Sequence, residues 1–458
     1  MRPIALFIVL ITAAVSSVPA ASPAADDPIA MTIDLVSRDD AEFRAIGLDR
    51  VRHGTKGEAA TYRFAAELAK QSPVRQVELM SALSDRGDAA AIPAMTALLL
   101  QAKDPAVRAA AVLGIGTLGS QVEVAVLKRS LAAEEPEKGA ARKALTVVRG
   151  DAATKELLDA AKYGEPALRS TFIDILADRR ARVALPDLAA MTVDGEAGVR
   201  TAALRALEKL GGPEQVSGLV AGVLKASAGA DRRDAERALV TVCTKNHGHE
   251  EAAKIFLEAF KKAPEVEQES LLPALGGVGG AGAMAIVDEL IASPDAAKRK
   301  FGLSALSRWP DATVSSRLMN LVGKAQDPAE RGLLLGALIR IAPLPDNKLN
   351  DGQKLDLVKK TMELCQTDED RARLIERVNA IRTIEAFRFI LPYLDQPSLA
   401  EPACKSVVEL AHHRQLRDAN KDEFIKALDR VITTTKNQEL AERATAYKEG
   451  KTWERKKS

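Results

Sequence analysis

Residues 104–119 read DPAVRAAAVLGIGTLG, and this stretch decides the fold. Asp104 is a good helix-capping residue, and Pro105 is tolerated at the first helical position, where its missing N–H costs nothing. Gly119 offers a natural stop. The larger and small apolar residues between them recur at helical spacing, at Val107, Ala110, Ala111, Leu113 and Leu118. Because most side chains in the stretch are small, we expect a second helix to pack closely against this one.

The same helix opening recurs along the chain. Aligned on it are Pro73, Pro105, Pro136, Pro166, Pro264, Pro294, Pro328 and Pro397, with Ala197 and Asp368 where proline is absent. Neighbouring separations from Pro73 to Pro166, and from Pro264 to Pro294, are 30 to 32 residues. A second amphipathic stretch precedes these helices, as at 91–99 and 183–188. A fixed period of this length predicts a solenoid of helix–turn–helix units.

Composition and charge narrow the possible functions. The hydrophobic fraction is 47% but aromatic residues make up only 3%, which favours closely packed helices over a β-sandwich. Lys and Arg total 65 against 63 Asp and Glu, a net charge of +2 over 458 residues. Without a strong positive field, nucleic acid is a poor match as partner.

The N-terminus has the pattern of a signal peptide. Arg2 precedes an apolar run from Ile4 to Val15, and Val18-Pro19-Ala20 places cleavage before Ala21. We therefore expect a signal peptide over 1–20, a short linker over 21–27 and an exported mature chain, periplasmic or secreted, with no stable membrane anchor. An uncleaved anchor is the alternative.

The quoted stretch resembles the second helix of a HEAT repeat, especially the short HEAT-like units of bacterial proteins and phycobilin lyases. GEAGVRTAALRALEKLG, residues 195–211, matches the same pattern. The resemblance implies an all-α fold, an α-solenoid or superhelix of about 13 HEAT-like helix pairs over 28–448. It is strongest over 89–211.

Two interruptions and a tail break this regularity. Gly276 to Gly282, GGVGGAG, predicts a glycine-rich turn between helices, and it lacks the pattern of a phosphate-binding loop. Residues 342–352, APLPDNKLNDG, predict a hinge or a change of curvature. Residues 449–458 form a charged tail, in which Trp453 could dock on the last helix.

Three cysteines, Cys243, Cys365 and Cys404, lie far apart on predicted helices. A disulfide-built secreted protein would have more of them, and an odd count leaves at least one thiol unpaired. Buried structural thiols and a single bridge between two of them both remain open.

The densest group of possible metal ligands is His247, His249 and Glu250. Two imidazoles and a carboxylate can hold a divalent cation, but this segment also has the composition of a turn with helix caps. HEAT-like di-iron hydroxylases build their centre from several His-Glu dipeptides, and this chain has one, so that assignment does not transfer. A metal-dependent enzyme or sensor, or a bilin-lyase-like activity, is the alternative function; we predict no catalytic or cofactor-binding residue.

The solenoid itself predicts an interaction scaffold. Its second helices line a long, shallow concave face suited to another protein or an extended peptide rather than to a small substrate. Four basic residues recur three places after the helix opening, at Arg108, Arg169, Arg200 and Arg331. We predict these as partner contacts of a non-catalytic scaffold; solvated charges or ion pairs within the array are the alternative.

Overall fold

A computed structural model describes residues 27–345 and 348–453 of the chain. The predicted signal peptide, most of the linker after it and the last residues of the tail lie outside the described residues. The described part contains α-helices, short 3-10 turns and no β-strand. It divides after Ala181 into two compact units.

Within its described residues, 27–181, the first unit contains ten α-helices. Their bounds are α1 Pro28–Ser37, α2 Ala41–His53, α3 Glu58–Ala66, α4 Pro73–Arg86, α5 Ile92–Gln101, α6 Pro105–Leu118, α7 Gln121–Ser130, α8 Glu137–Val147, α9 Asp151–Tyr163 and α10 Pro166–Asp178.

The second unit begins at Arg182. Its helices are α11 Leu185–Ala190, α12 Ala197–Leu210, α13 Val216–Lys225, α14 Ala230–Thr244, α15 His249–Lys262, α16 Glu265–Val278, α17 Gly280–Ala292, α18 Ala296–Ser307, α19 Ser315–Lys324, α20 Pro328–Ile341, α21 Asp351–Leu364, α22 Asp368–Val378, α23 Ile384–Ile390, α24 Ala400–His412, α25 Arg414–Ala419, α26 Lys421–Thr434 and α27 Gln438–Lys448.

Successive helices pack as antiparallel pairs, and the pairs stack within each unit. The first helices of the pairs are the odd-numbered ones up to α23, and α26. The second helices are the even-numbered ones up to α24, and α27; each of them packs on the second helix of the next pair in its unit. The described chain therefore contains thirteen pairs, five in the first unit and eight in the second, which confirms the predicted all-α solenoid.

Helix α6 has the predicted bounds and caps. The Asp104 carboxylate accepts hydrogen bonds from the N–H groups of Ala106 and Val107, and Pro105 is the first helical residue. The helix ends at Leu118, before Gly119. Apolar side chains of this helix are removed from solvent, among them Val107, Ala111, Val112 and Ile115. Their burial against the neighbouring helices drives the stacking.

The proline register is confirmed at some helices and shifted at others. Pro73, Pro105, Pro166 and Pro328 are first helical residues, as are Ala197 and Asp368. Pro136 and Pro264 are instead the capping residues of α8 and α16, Pro294 precedes the cap Asp295, and Pro397 lies before the start of α24. The register has no proline at α14, which begins at Ala230 after Gly229.

The predicted turn between helices lies within Gly276–Gly282, but it is much shorter than this range. Helix α16 continues to Val278 and α17 begins at Gly280, so the chain reverses at Gly279, where φ is +67°. Gly276 is needed for close packing, because a Cβ there would lie 2.0 Å from the Ala305 carbonyl oxygen of α18. Gly276 is therefore a helical residue that permits close packing, whereas Gly279 makes the turn.

The segment between α20 and α21 is attached to an earlier repeat. Lys348 Nζ lies 2.9 Å from Asp311 Oδ2. Burial tends to raise the pKa of Asp311, but hydrogen bonds from Thr313 and Lys348 outweigh it, so that this pKa lies below its usual value. Asp346 and Asn347 lie outside the described residues, and the hinge over 342–352 stays a prediction.

The three cysteines are buried and free, so the structure contains buried thiols and no bridge among Cys243, Cys365 and Cys404. Burial raises the pKa of Cys243 to about 12 and those of Cys365 and Cys404 to about 11. Such thiols are poor nucleophiles because the thiolate is the reactive form.

Trp453 meets the last helix as predicted, with the Arg443 guanidinium of α27 5.8 Å from its ring centroid. No helix in the described part of the chain is both long and apolar enough to span a bilayer.

Candidate partner-binding surface

Arg108 occupies the fourth position of α6 and joins two repeats. Its guanidinium lies 2.7 Å from the carboxylate of Glu137, the first residue of α8, and donates to the Leu99 carbonyl oxygen at 3.2 Å. Glu137 is 5% exposed, and a carboxylate withdrawn from water needs a compensating charge. Arg108 therefore connects the first helix of its own pair to the second helix of the next.

Arg200 makes the equivalent connection from α12. It lies 2.9 Å from the Asp231 carboxylate in the first turn of α14 and donates to the Asp194 carbonyl oxygen at 2.9 Å. Burial tends to raise the pKa of Asp231, but the hydrogen bond and charge of Arg200, together with hydrogen bonds from Ser227, outweigh burial, and the net pKa is lowered. This ion pair contributes to the stacking of the two repeats.

Arg169 and Arg331 hold the same position of α10 and α20. Arg169 donates to the Ala161 carbonyl oxygen at 2.9 Å. Arg331 donates to the carbonyl oxygens of Val322, at 2.5 Å, and Leu364, at 2.8 Å. All four predicted arginines thus have intramolecular partners, mostly carbonyl groups at helix ends, where a cation is favourable. Their contact with another protein stays a prediction.

The predicted metal ligands lie in the turn before α15 and at its start. His247, His249 and Glu250 are all exposed, and His249 Nδ1 lies 3.2 Å from the Asn246 carbonyl oxygen. Nowhere in residues 27–345 and 348–453 do three or more His, Cys, Asp or Glu side chains form a group that could hold a metal ion. The geometry gives the His247 segment the role of a helix start.

A different surface of the second unit stands out by its lack of charge. On α16, α18 and α20, solvent-accessible residues recur at the spacing that places them on one face of each helix. We call them the neutral ridge: Val266, Ser270, Pro273 and Gly277 of α16, Ala297, Phe301 and Ser304 of α18, and Ala329, Leu333 and Gly336 of α20. Val266 is 76% exposed and Leu333 is 39% exposed. The second helices of three consecutive pairs therefore present small and apolar groups side by side.

The second helices on both sides of the neutral ridge carry ion pairs between adjacent helices, whereas α16, α18 and α20 have theirs, Lys298–Glu265 and Arg299–Glu330, in their first turns beside the ridge residues. The flanking pairs are Arg237–Glu208 at 3.4 Å between α14 and α12, Lys405–Glu376 at 3.4 Å between α24 and α22, and Arg443–Glu409 at 2.8 Å between α27 and α24. The first two pairs are partly exposed, and such pairs add little stability. The neutral ridge is thus an uncharged interval between two charged stretches.

Close packing beneath the ridge comes from the glycines of α16. Arg308, after α18, lies 3.0 Å from the buried carboxylate of Glu236 on α14, two pairs earlier. This ion pair joins the two helices that pack on either side of α16. Helix α16 also lies close to α14, because a Cβ on Gly277 would be 2.9 Å from Val240 Cγ2. The three helices are held closely enough to form one surface. The sequence signal for it was the absence of charge at matching positions of three successive second helices.

Comparison with known proteins found one family model and several similar solved structures. The family model described as HEAT repeats matches residues 63–146 and 154–240. The sequence matches no curated protein. Among solved structures, that of Kap121p is 12% identical, with a TM-score of 0.45 over 92% of this chain and 53% of that chain. This chain therefore spans about half the length of Kap121p, which has also been solved bound to Pho4p.

Two further structures are similar at lower scores. A homology model of the full-length AP-3 complex is 14% identical, with a TM-score of 0.39 over 92% of this chain and 86% of that chain. Human deoxyhypusine hydroxylase in complex with glycerol is 21% identical, with a TM-score of 0.25 over 61% of this chain and 95% of that chain. The family match and the stacked helix pairs agree with each other: residues 63–146 and 154–240 match HEAT repeats.

Proposed function

We propose that this chain is a non-catalytic scaffold that binds a protein or an extended peptide along its second helices, with the neutral ridge as the main contact. The observation that supports this proposal is the uncharged surface over three consecutive repeats, between helices covered by ion pairs. Contiguous exposed apolar surface on a folded protein commonly marks an interaction site.

The chemistry of the ridge favours a macromolecular partner. Val266, Phe301 and Leu333 can be buried without removing a charge from water, which keeps the desolvation cost of binding low. The ridge extends along helices rather than into a deep pocket, as suits an extended chain or a protein surface. The near balance of acidic and basic residues favours a protein over nucleic acid.

The four arginines have a supporting role in this proposal. The ion pairs of Arg108 and Arg200 fix the spacing of adjacent second helices, and a partner bound across several repeats needs that spacing. Arg169 and Arg331 contact carbonyl groups of first helices. Arg108 keeps 35% of its side chain exposed, and we propose that any direct contact by the arginines uses such exposed parts.

The test is crosslinking capture from cells that produce the chain, with a double variant of the ridge. Ser304→Glu with Leu333→Glu places two charges on the ridge, whereas Ser316→Glu with Asn320→Glu places two on the exposed side of the first helix α19. We expect wild type and the α19 variant to capture the same protein, and the ridge variant at least about tenfold less. Equal capture by the ridge variant would contradict the proposal.

We also propose that the mature chain is exported. The support is the basic residue, apolar run and small-residue end over 1–20. N-terminal sequencing of the chain from its own cells should begin at Ala21, and a chain that retains Met1 would show that the segment is not cleaved.

A further inference from the structure

We propose that a cleft between the pairs α15–α16 and α17–α18 is the specificity pocket of this surface, and that it takes one large apolar side chain of the partner flanked by Lys or Arg. The inference rests on the proposed function, because the cleft adjoins the neutral ridge. Phe301 belongs to both: it is a ridge residue of α18 and lines the cleft.

The walls of the cleft are apolar. Five large side chains from four helices line it: Phe260, Leu272, Ile286, Leu290 and Phe301. Phe260 and Leu272 are almost fully buried, and the other three are partly accessible. The volume is about 450 Å³, within the range of pockets that hold small ligands. It has room for a Leu, Phe or Trp side chain together with the adjoining backbone.

The cleft is open because one residue differs from its counterparts. The fourth position of α16 is Gln268, whereas α6, α12 and α18 have arginines there that reach an acid of the next second helix, as Arg299 reaches Glu330 at 2.7 Å. Gln268 turns back to the Ala263 carbonyl oxygen at 3.0 Å. No guanidinium therefore fills the space between the starts of α16 and α18.

The rim of the cleft is acidic. Glu265, Glu269 and Glu289 surround it together with one cation, Lys298. Lys298 Nζ lies 2.6 Å from Glu265 Oε1 across the mouth, and the hydrogen bond and charge of Glu265 raise the pKa of Lys298. Two carboxylates remain for a ligand, so charge complementarity selects cationic groups beside the apolar anchor.

A second cleft, in the first unit, lacks the acidic rim that selects a cationic ligand. It has a volume of about 720 Å³ between α7, α9 and the start of α10. Its charged lining mixes Lys128 and Arg129 with Glu156, Asp159 and Glu165, and Lys128 lies 3.3 Å from Glu156. Mixed charges give no preference for a cationic segment.

The test uses the full chain and short fluorescein-labelled peptides followed by fluorescence polarisation. The probe peptide has a central Phe with lysines on both sides; one comparison peptide has Ala at the centre, and another has glutamates in place of the lysines. We expect the Phe–Lys peptide to bind, the Ala peptide to bind at least about tenfold more weakly, and the Glu peptide not to bind.

Matched variants locate that binding. Glu269→Lys with Glu289→Lys reverses two rim charges and should weaken the Phe–Lys peptide by about tenfold or more. Glu267→Lys makes the same change at an exposed position of α16 outside the cleft and should stay within about twofold. Ala292→Trp adds bulk at an exposed lining position and should also abolish binding, with circular dichroism showing unchanged helix content.

Several results would overturn the proposal: no binding of the Phe–Lys peptide, equal binding of all three peptides, or equal losses in Glu267→Lys and the rim variant. Binding of octylamine with no peptide binding would assign the cleft to a small amphipathic amine. Self-association that Ala292→Trp abolishes would assign it to a second copy of the chain.

The two proposals fail in different ways. If the cleft variants capture the cellular partner as well as wild type while the ridge variant does not, the scaffold proposal stands and the cleft proposal is wrong. If the ridge variant captures the partner normally, the scaffold proposal is wrong in its choice of surface.

Discussion

The junction between α6 and α8 and the junction between α16 and α18 are built alike at one end and differently at the other. Both have glycine at the twelfth position of the leading helix: a Cβ on Gly116 would lie 2.3 Å from Ala144 Cβ, and one on Gly276 would lie 2.0 Å from the Ala305 carbonyl oxygen. At the fourth position they differ, with Arg108 in one and Gln268 in the other.

This difference shows that two features of a repeat junction depend on different residues: how closely the two second helices approach, and whether a cleft remains between them. The glycines bring the C-terminal halves of adjacent second helices together. The fourth residue decides whether an arginine fills the space between the N-terminal halves or leaves a cleft there, as Gln268 does behind the Lys298–Glu265 pair at its mouth. A repeat array can therefore open a binding space between two pairs while it keeps their stacking.

The largest expected effect comes from filling the shared glycine positions. Gly276→Ala and Gly116→Ala each place a methyl group against backbone or Cβ atoms of the next helix, and we expect a loss of about 3 kcal/mol in the free energy of unfolding. Gly332→Ala in α20 is the control, because a Cβ there meets nothing within 4 Å; it should stabilise by up to about 1 kcal/mol. Urea unfolding measures the free energy of unfolding of all three variants. Equal changes would show that the close approach of the helices does not require glycine at these positions.

The next effect separates the two junctions. Arg108→Ala leaves the buried Glu137 without its cation, so we expect a loss of about 2 kcal/mol and faster hydrogen exchange in α6 and α8. Gln268→Ala removes a neutral hydrogen bond and should cost about 1 kcal/mol or less. If both substitutions lower the free energy of unfolding equally, the residue at the fourth position does not distinguish the α6–α8 junction from the α16–α18 junction.

A double substitution sharpens this comparison. Arg108→Met with Glu137→Met removes both charges and keeps apolar volume, so we expect it to recover at least about 1 kcal/mol of the loss in Arg108→Ala. A double variant less stable than the single one would mean that Glu137 is solvated and that the pair contributes through packing.

The smallest effect is a pH dependence of the junction between α12 and α14. The pKa of Asp231 is lowered in the folded state, so this carboxylate stabilises the fold above its unfolded-state pKa, and that stabilisation is lost as pH falls through the folded-state pKa. In Arg200→Gln the opposing effect of burial and the hydrogen bonds from Ser227 remain, and the part of the stabilisation that comes from Arg200 is missing. Urea unfolding between about pH 6 and about pH 2 should show the two proteins converge at low pH; a constant difference would rule out Asp231 as the cause.

The sequence predicted the repeated helices well because the signals for them are local. The cap at Asp104, the proline after it and the apolar spacing lie within one helix, and α6 has the expected bounds. The turn within Gly276–Gly282 is shorter than predicted because a glycine required by a neighbouring helix looks the same in sequence as a glycine required by a turn. The helix that demands it, α18, lies about one repeat away.

The site was harder to predict for the same reason. Arg108 and Arg200 were recognised as recurring positions, but their acidic partners lie in the next repeat, 29 and 31 residues on. The neutral ridge gave no motif at all, because uncharged positions such as Ser304 and Gly336 resemble a packing face until neighbouring helices are placed. Only the structure shows that these positions are accessible together.

Photo-crosslinking from inside the ridge tests the central claim most directly. A photo-crosslinking amino acid at Ser304, in the middle of the ridge, is compared with one at Asn320, on the exposed side of α19. In cells that produce the chain, we predict one dominant crosslinked protein from Ser304 and none from Asn320. The same product from both positions, or from Asn320 alone, would contradict the assignment of binding to the second helices.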